Sequence, residues 1–372
     1  MHRTARLVPI VSLAVGGALG AALLPAGTAY GAQAPKPIAR AAADSGPEQR
    51  TVRKYWTPAK MEAARPLDLP ARKTPRARLS PSTGPTASRA LPPTGAPVTI
   101  PPTAPGKAAG TAPQAQTQQP QAQSQQPQAQ SQAQSQSQAL AAARATPGAT
   151  WTRGGAVAKT TGRVFFTYQG RNASCSGSAV TSANKSVVIT AGHCVKMGGV
   201  FHGNWVFVPG YDRGSRPYGT WVATRLLTTP QWSDDENVDH DLAAAVVAPL
   251  DGRSLTEVVG GQGVAFNQGR RRQMHSFGYP AASPYDGSRL TYCSGRAFDD
   301  FLLSRGLGLT CAMTGGSSGG PWFLGFDEST GLGTQNSVNS FKYNFAQDWM
   351  FAPYFGPEAK AVYDAAQRDG AT

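Results

Sequence analysis

Apolar and polar positions alternate in short runs from Trp151 onward, and scarcely at all before it. Eleven runs rich in Val, Ile, Phe, Trp, Leu and Thr fall at 162–170, 175–180, 186–191, 204–211, 220–228, 241–250, 272–280, 289–295, 307–312, 320–324 and 335–341. Each is bounded by Gly, Pro, Asn, Asp or Ser, so the pattern predicts antiparallel strands in an all-β barrel or sandwich. Only the stretch 356–370 changes period. There Pro357 suits a helix start, Gly370 suits a stop, and Ala361, Val362, Ala365 and Ala366 share one face.

Residues 32–150 differ in kind. Pro, Ala, Gln, Ser and Thr dominate, and 116–138 is a repetitive Gln/Ala/Ser/Pro tract. Such a composition cannot bury enough apolar surface to offset its ordering entropy. It reads as a disordered spacer or wall-crossing arm, with a propeptide removed on maturation as the open alternative. Residues 52–69 hold enough apolar side chains for one short helix able to touch the folded part. Residues 1–31 read as a secretory signal. His2, Arg3 and Arg6 precede an apolar run over 7–24, and small residues then place cleavage between Ala29 and Ala34. The run is short for a span and is broken by Gly16, Gly17, Gly20 and Pro25, which argues against stable membrane insertion. The expected organisation is a signal (1–31), a low-complexity propeptide or linker (32–150) and one folded domain (151–372).

Charge follows the same division. Residues 1–150 hold 16 Lys and Arg against 4 Asp and Glu, whereas residues 151–372 hold 19 against 17. The net +14 therefore belongs to the N-terminal stretch. The folded part is near neutral, which does not suit nucleic acid as a partner, and Arg270, Arg271 and Arg272 read as a solvated loop. For an exported chain, the even set Cys175, Cys194, Cys293 and Cys311 implies disulfides rather than a zinc site, with three pairings open.

Three stretches carry chemistry. In SVVITAGHCV, His193 follows an apolar strand; in NVDHDLAAAVV, Asp241 opens one; in TGGSSGGPW, two serines stand between glycine pairs. The order His, Asp, Ser is one of the chain orders of a serine-hydrolase triad. A serine hydroxyl needs an imidazole to take its proton, and the imidazole needs a buried carboxylate to fix its tautomer. The developing oxyanion needs inward backbone N–H groups, which glycines can present without a clashing Cβ.

Taken together, CSGSAVTSANKSVVITAGHC, DHDLAAAVV, FGYP and GGSSGGPW resemble the trypsin-like serine peptidases of the chymotrypsin fold, in particular the secreted bacterial branch near the glutamyl endopeptidases. The resemblance runs from Gly162 to the C-terminal helix. It implies two antiparallel Greek-key β-barrels with the active site between them, a C-terminal helix, and a long disordered N-terminal region in front. The first barrel would supply His193 and Asp241, the second Ser318, the serine directly before Gly-Gly-Pro. Gly316 and Ser318 would form the oxyanion hole. Asp241 is matched by the Leu-Ala after it, so Asp234, Asp235, Glu236 and Asp239 are left as a solvated acidic loop. His202, His240 and His275 have no matching role. Cys175–Cys194 and Cys293–Cys311 are the implied disulfides, each loop worth ~3 kcal/mol. Ser317 stands where trypsins carry the aspartate of their zymogen ion pair, so that switch is not expected.

The implied activity is acyl-enzyme hydrolysis of a protein or peptide substrate, with no cofactor or metal, by a secreted monomer whose association with the cell wall is open. A catalytically inactive binding protein on the same fold is the alternative. For specificity, Ala312 replaces the acidic pocket floor of trypsins, and Asn339, Ser340 and Phe341 replace the wall histidine of the glutamyl endopeptidases. Ala312, Asn339 and Ser340 are thus the expected substrate-binding positions, Lys342 is expected to face solvent, with partial substitution for that histidine as the open alternative, and a neutral residue is expected before the cut.

Overall fold

The computed structural model describes residues 34–69, 95–106 and 146–370. The expected signal (1–31) and the Gln-rich tract (116–138) lie outside the described residues.

The first β unit is a barrel. Its strands run in the order Trp221–Thr228, Gly203–Pro209, Thr161–Tyr168, Arg171–Ala179, Val187–Thr190 and Ala243–Val247, and the last pairs back onto the first. Alternate side chains of each strand divide between two interiors. Val164, Phe166, Trp205 and Phe207 join the barrel core. Phe165, Val206, Val208 and Val222 point the other way, into a second buried cluster. The helix Pro357–Arg368 closes the first core through Ala359, Val362, Tyr363 and Ala366. Its buried stripe is therefore rotated from the predicted one, with Ala361 and Ala365 only partly covered.

The second β unit is a seven-stranded sheet and a three-stranded one. The larger runs in the order Val98–Ile100, Gly263–Phe266, Leu332–Val338, Pro321–Asp327, Gln273–Gly278, Thr291–Arg296 and Thr146–Thr150; the smaller joins Phe298–Asp299, Leu307–Thr310 and Trp349–Ala352. Nearly all pairs are antiparallel, the exception here being Gly263–Phe266 alongside Leu332–Val338. The Cys293–Cys311 disulfide ties one sheet to the other, while Cys175–Cys194 lies in the first barrel, as the resemblance implied. Arg270 and Arg271 are not a free solvated pair, since both bind the Asp299 carboxylate, at 2.5 and 2.7 Å.

The N-terminal stretch holds more structure than its composition predicts. Where one short helix was expected within 52–69, residues 34–69 carry a strand (Ile38–Ala41), helices Gly46–Tyr55 and Pro58–Glu62, and a short strand Arg65–Pro66. Ile38–Ala41 pairs with Trp221–Thr228, beyond the two residues at which Gly203–Pro209 uses that strand. The helices cover the outward apolar face of the barrel. Val52, Trp56, Met61 and Ala64 are buried against Phe165, Val206 and Val208, and Trp56 Nε1 donates to Asn204 O at 2.6 Å. Burial of this kind is worth about 2 kcal/mol for each large side chain, enough to hold two short helices that would not form alone.

Candidate active site

The local geometry around His193 follows from its strand. Val187–Thr190 is wholly buried and ends at a single 3₁₀ turn, Gly192–Cys194, whose last residue is fixed by the disulfide to Cys175. His193 therefore sits on a short, stiff connection with no exposed surface. The carboxylate of Asp241, also fully buried, accepts from the His193 backbone N–H at 2.8 Å, from His193 Nδ1 at 2.8 Å and from Ser340 Oγ at 2.5 Å. A proton on Nδ1 facing that carboxylate leaves Nε2 as the basic nitrogen. Nε2 is buried and has no hydrogen-bond partner among the described residues, so the Ser318 hydroxyl does not yet reach it. Such bonds are often long before substrate binds.

Ser318 comes to the same place from the second β unit. Its carbonyl accepts from Ser176 N at 2.7 Å. Gly319, at φ +78°, lies so close to the first barrel that a Cβ there would meet Thr190 Oγ1 at 2.1 Å and Ala191 N at 2.8 Å. Ser317, by contrast, turns its hydroxyl inward to Thr314 O at 2.7 Å. The amide orientations are set from behind. Gly315 O accepts from Ala281 N at 2.6 Å, and Ser317 O from Gly320 N at 2.9 Å and from Asn339 Nδ2 at 3.0 Å. In trans peptides the next N–H points the opposite way. That turns the Gly316 and Ser318 N–H groups toward the cleft, and among the described residues neither donates elsewhere.

The expected substrate contacts have other neighbours. Asn339 is fully buried. Its Oδ1 accepts from Ser276 Oγ and Trp322 Nε1, both at 2.7 Å, and its Nδ2 donates to Phe277 O and Ser317 O, both at 3.0 Å. It braces the serine loop from inside rather than facing a ligand. The Ser340 hydroxyl is taken by Asp241, and Ala312 is half-buried beside the 146–150 strand, donating its N–H to Pro147 O at 2.5 Å. Lys342, expected in solvent, is half-buried instead. Its Nζ donates to Cys311 O at 2.8 Å and to Gln347 O, and burial pulls its pKa down to about 8 against the raising effect of Asp348 and Asp68.

Two residues escaped the sequence reading. His202 stacks flat on Phe166, ring centres 4.4 Å apart, and its Nε2 lies 2.8 Å from His193 O. Burial drops its pKa to about 4, so it is a neutral donor that steadies the turn. Nothing in its spacing marks it. Ser176 donates to Gly316 O at 2.8 Å and accepts from Tyr279 N at 2.9 Å, linking the two units; CSGS is visible in sequence, but this role is not. Of the remaining histidines, His275 pairs with Glu328 at 3.1 Å, away from this cleft. Among the neighbouring acids, Asp239 accepts from Arg305 N at 2.6 Å. The tight group Cys175, His193 and Cys194 offers no metal site, because both sulfurs are in the disulfide.

No protein-family model matches the chain, and no curated protein does. Solved structures do. The protease Anisep from Arthrobacter nicotinovorans is 46% identical over 57% of this chain and 96% of its own, with a TM-score of 0.55. A thermostable serine protease, AL20, from an extremophilic microorganism is 42% identical over 57% of this chain and 98% of its own, with a TM-score of 0.54. With nearly the whole length of two such enzymes matched, the chain belongs to the trypsin-like serine peptidases of the chymotrypsin fold.

Proposed function

We propose that this serine endopeptidase works through Ser318, His193 and Asp241 by way of an acyl-enzyme. The observation that carries the reading is the buried Asp241 carboxylate fixing His193 through Nδ1, which leaves Nε2 free beside a loop that presents Ser318 and two unengaged N–H groups. His193 Nε2 takes the Ser318 proton as Oγ bonds to the substrate carbonyl carbon. The Gly316 and Ser318 N–H groups hold the oxyanion. His193 then gives the proton to the leaving amine as the C–N bond breaks, and water repeats the sequence to free the acid. Asp241 stays ionised, stabilising the imidazolium; Ser340, Asn339 and His202 position these groups.

The substrate is a protein or peptide. Secretion is part of the proposal, supported by the leader-like 1–31 and the two disulfides. Among the described residues no helix is long and apolar enough to cross a membrane. Residues 151–372 are the peptidase domain in this reading, and 32–150 its propeptide or linker.

A serine-directed fluorophosphonate tests the assignment. Mass mapping should place the adduct on Ser318, Ser318→Ala should abolish it, and Ser317→Ala should retain it. Loss of the adduct in the Ser317 variant alone would show the register to be wrong.

A further inference from the structure

Beyond the helix Pro58–Glu62, the chain turns into the catalytic cleft. Arg65 and Pro66 pair in parallel with Ala173 and Ser174, and Leu67 N donates to Ser174 O at 3.0 Å, one residue from the Cys175–Cys194 bridge. Leu67 packs on the cluster that holds Cys194, and Leu69 on the cluster that holds Trp232 and Phe341. The Trp232 ring is 6.2 Å from that of His193. The two leucines thus pack on clusters that hold neighbours of His193, which has no exposed surface, beside a Ser318 that is only 5% exposed.

Asp68 lies between them. It lines a cleft of about 560 Å³ together with Thr314, Gly315, Ser318, Phe341 and Lys342. Its carboxylate occupies the space over Gly315, where an added Cβ would come within 2.0 Å of an oxygen, so any side chain at 315 would displace it. Lys342 lines the same pocket. Two of its three N–H groups are spent on Cys311 O and Gln347 O, which leaves one for a ligand. Asp68 is an exposed residue that lines this cleft, and partial desolvation there raises its carboxyl above the usual range, opposed by His193 and Lys342.

The geometry points to residues 65–69 as an internal ligand of the catalytic cleft, and to the pocket beside Ser318 as a carboxylate site in which Asp68 stands where the acidic side chain of a substrate would. This rests on Ser318 being the nucleophile. A half-buried ammonium in a cleft lined otherwise by groups such as Thr314, Gly315 and Phe341 favours Asp or Glu over Leu, which leaves the ammonium unpaired, and over Arg or Lys, which would meet a like charge. The expectation of a neutral residue before the cut is replaced accordingly. Tethering makes a weak contact sufficient: a covalently attached segment is present at an effective concentration on the order of millimolar. The helices that bury Trp56 and Met61 hold it in place.

The test uses the full chain. Fluorophosphonate labelling is followed by intact mass for the wild type, Asp68→Ala and, as a control, Asp251→Ala in an exposed turn. Asp68→Ala should label at least tenfold faster, and the control at the wild-type rate. In the Asp68→Ala chain, kcat/KM on matched peptides should favour Glu or Asp over Gln and Leu before the cut by at least tenfold. Adding Lys342→Gln should reduce that preference below threefold. Equal labelling of wild type and Asp68→Ala overturns the internal ligand, and no acidic preference overturns the carboxylate site. Absence of an adduct from every chain would instead strike the Ser318 assignment, and this inference with it.

Discussion

His193 and Asp241 hang on a barrel that closes on itself, whereas Ser318 and the pocket wall hang on two sheets joined by a disulfide. In the first, main-chain ladders fix the proposed catalytic groups: the His193 turn follows one buried strand and Asp241 precedes another, and those strands pair at Thr190 and Ala243. In the second, side chains do the fixing. Asn339 holds Ser317 O, Ser176 holds Gly316 O, and Lys342 ties Cys311 to Gln347. In the proposed mechanism the proton-transfer geometry is thus built into backbone, while the part that would meet the substrate rests on replaceable side chains. Substitutions in the two units should fail differently, the first through kcat and the second through stability and selectivity.

The largest effect is expected in the first unit. Asp241→Asn should fold normally by circular dichroism yet lose about 10⁴-fold in kcat, because an amide favours the wrong imidazole tautomer. A larger loss in Asp239→Asn would move the assignment by two residues.

The disulfides give a matched pair across the two units. Their sequence separations are 19 and 18, so loop entropy predicts the same loss for each Cys→Ser pair, about 3 kcal/mol in chemical denaturation. Loss of Cys175–Cys194 should also lower kcat, since it frees the His193 turn. Loss of Cys293–Cys311 should change substrate preference more than kcat, since Lys342 is bonded to Cys311 O. The reverse pattern would refute the division of labour.

Asn339→Ala should cost about 2–3 kcal/mol in thermal unfolding, because the Ser276 hydroxyl and the Trp322 indole N–H are left buried without the acceptor they share. If Asn339 were a substrate contact instead, stability would barely change and KM would rise.

How much of this was legible depended on what a residue had to do. His193, Asp241 and Ser318, the proposed triad, stand out in the sequence because each chemistry needs one residue type beside a particular neighbour: a buried strand before His193, an apolar strand after Asp241, glycines around Ser318. The strands were readable too, yet their runs hid a second buried face. Val164-Phe165-Phe166 reads as continuous because Phe165 faces outward into apolar contact, and that continuity could have signalled a cover. The cover itself was not readable. Pro and Ala dominate around 34–69, and only Val52, Trp56, Met61 and Ala64 bury fully enough to dock, with Ala43 from the preceding turn. The direction of Lys342 was unreadable for a different reason. Its partners are backbone carbonyls at Cys311 and Gln347, which leave no trace in residue type.

The smallest expected effect concerns the charge of Lys342, and it distinguishes the pocket from the catalytic pair. Burial lowers the Lys342 pKa from its ordinary value to about 8, so its ammonium is present below that pH and is lost as pH rises through it. The charged groups facing it are Asp348 and Asp68, and both raise the pKa against burial. Substrate carboxylates are ionised throughout this range. The ratio of kcat/KM for Glu over Leu substrates should therefore fall, by about tenfold, between pH 7 and pH 9. Using the ratio cancels any pH effect that both substrates share, and kcat/KM reports the free enzyme. Removing Asp68 takes away one of the two carboxylates that hold the ammonium, so in Asp68→Ala the step should move to lower pH than in the wild type. A ratio flat across pH 7–9 in both chains would mean that the lysine charge takes no part in selecting the substrate.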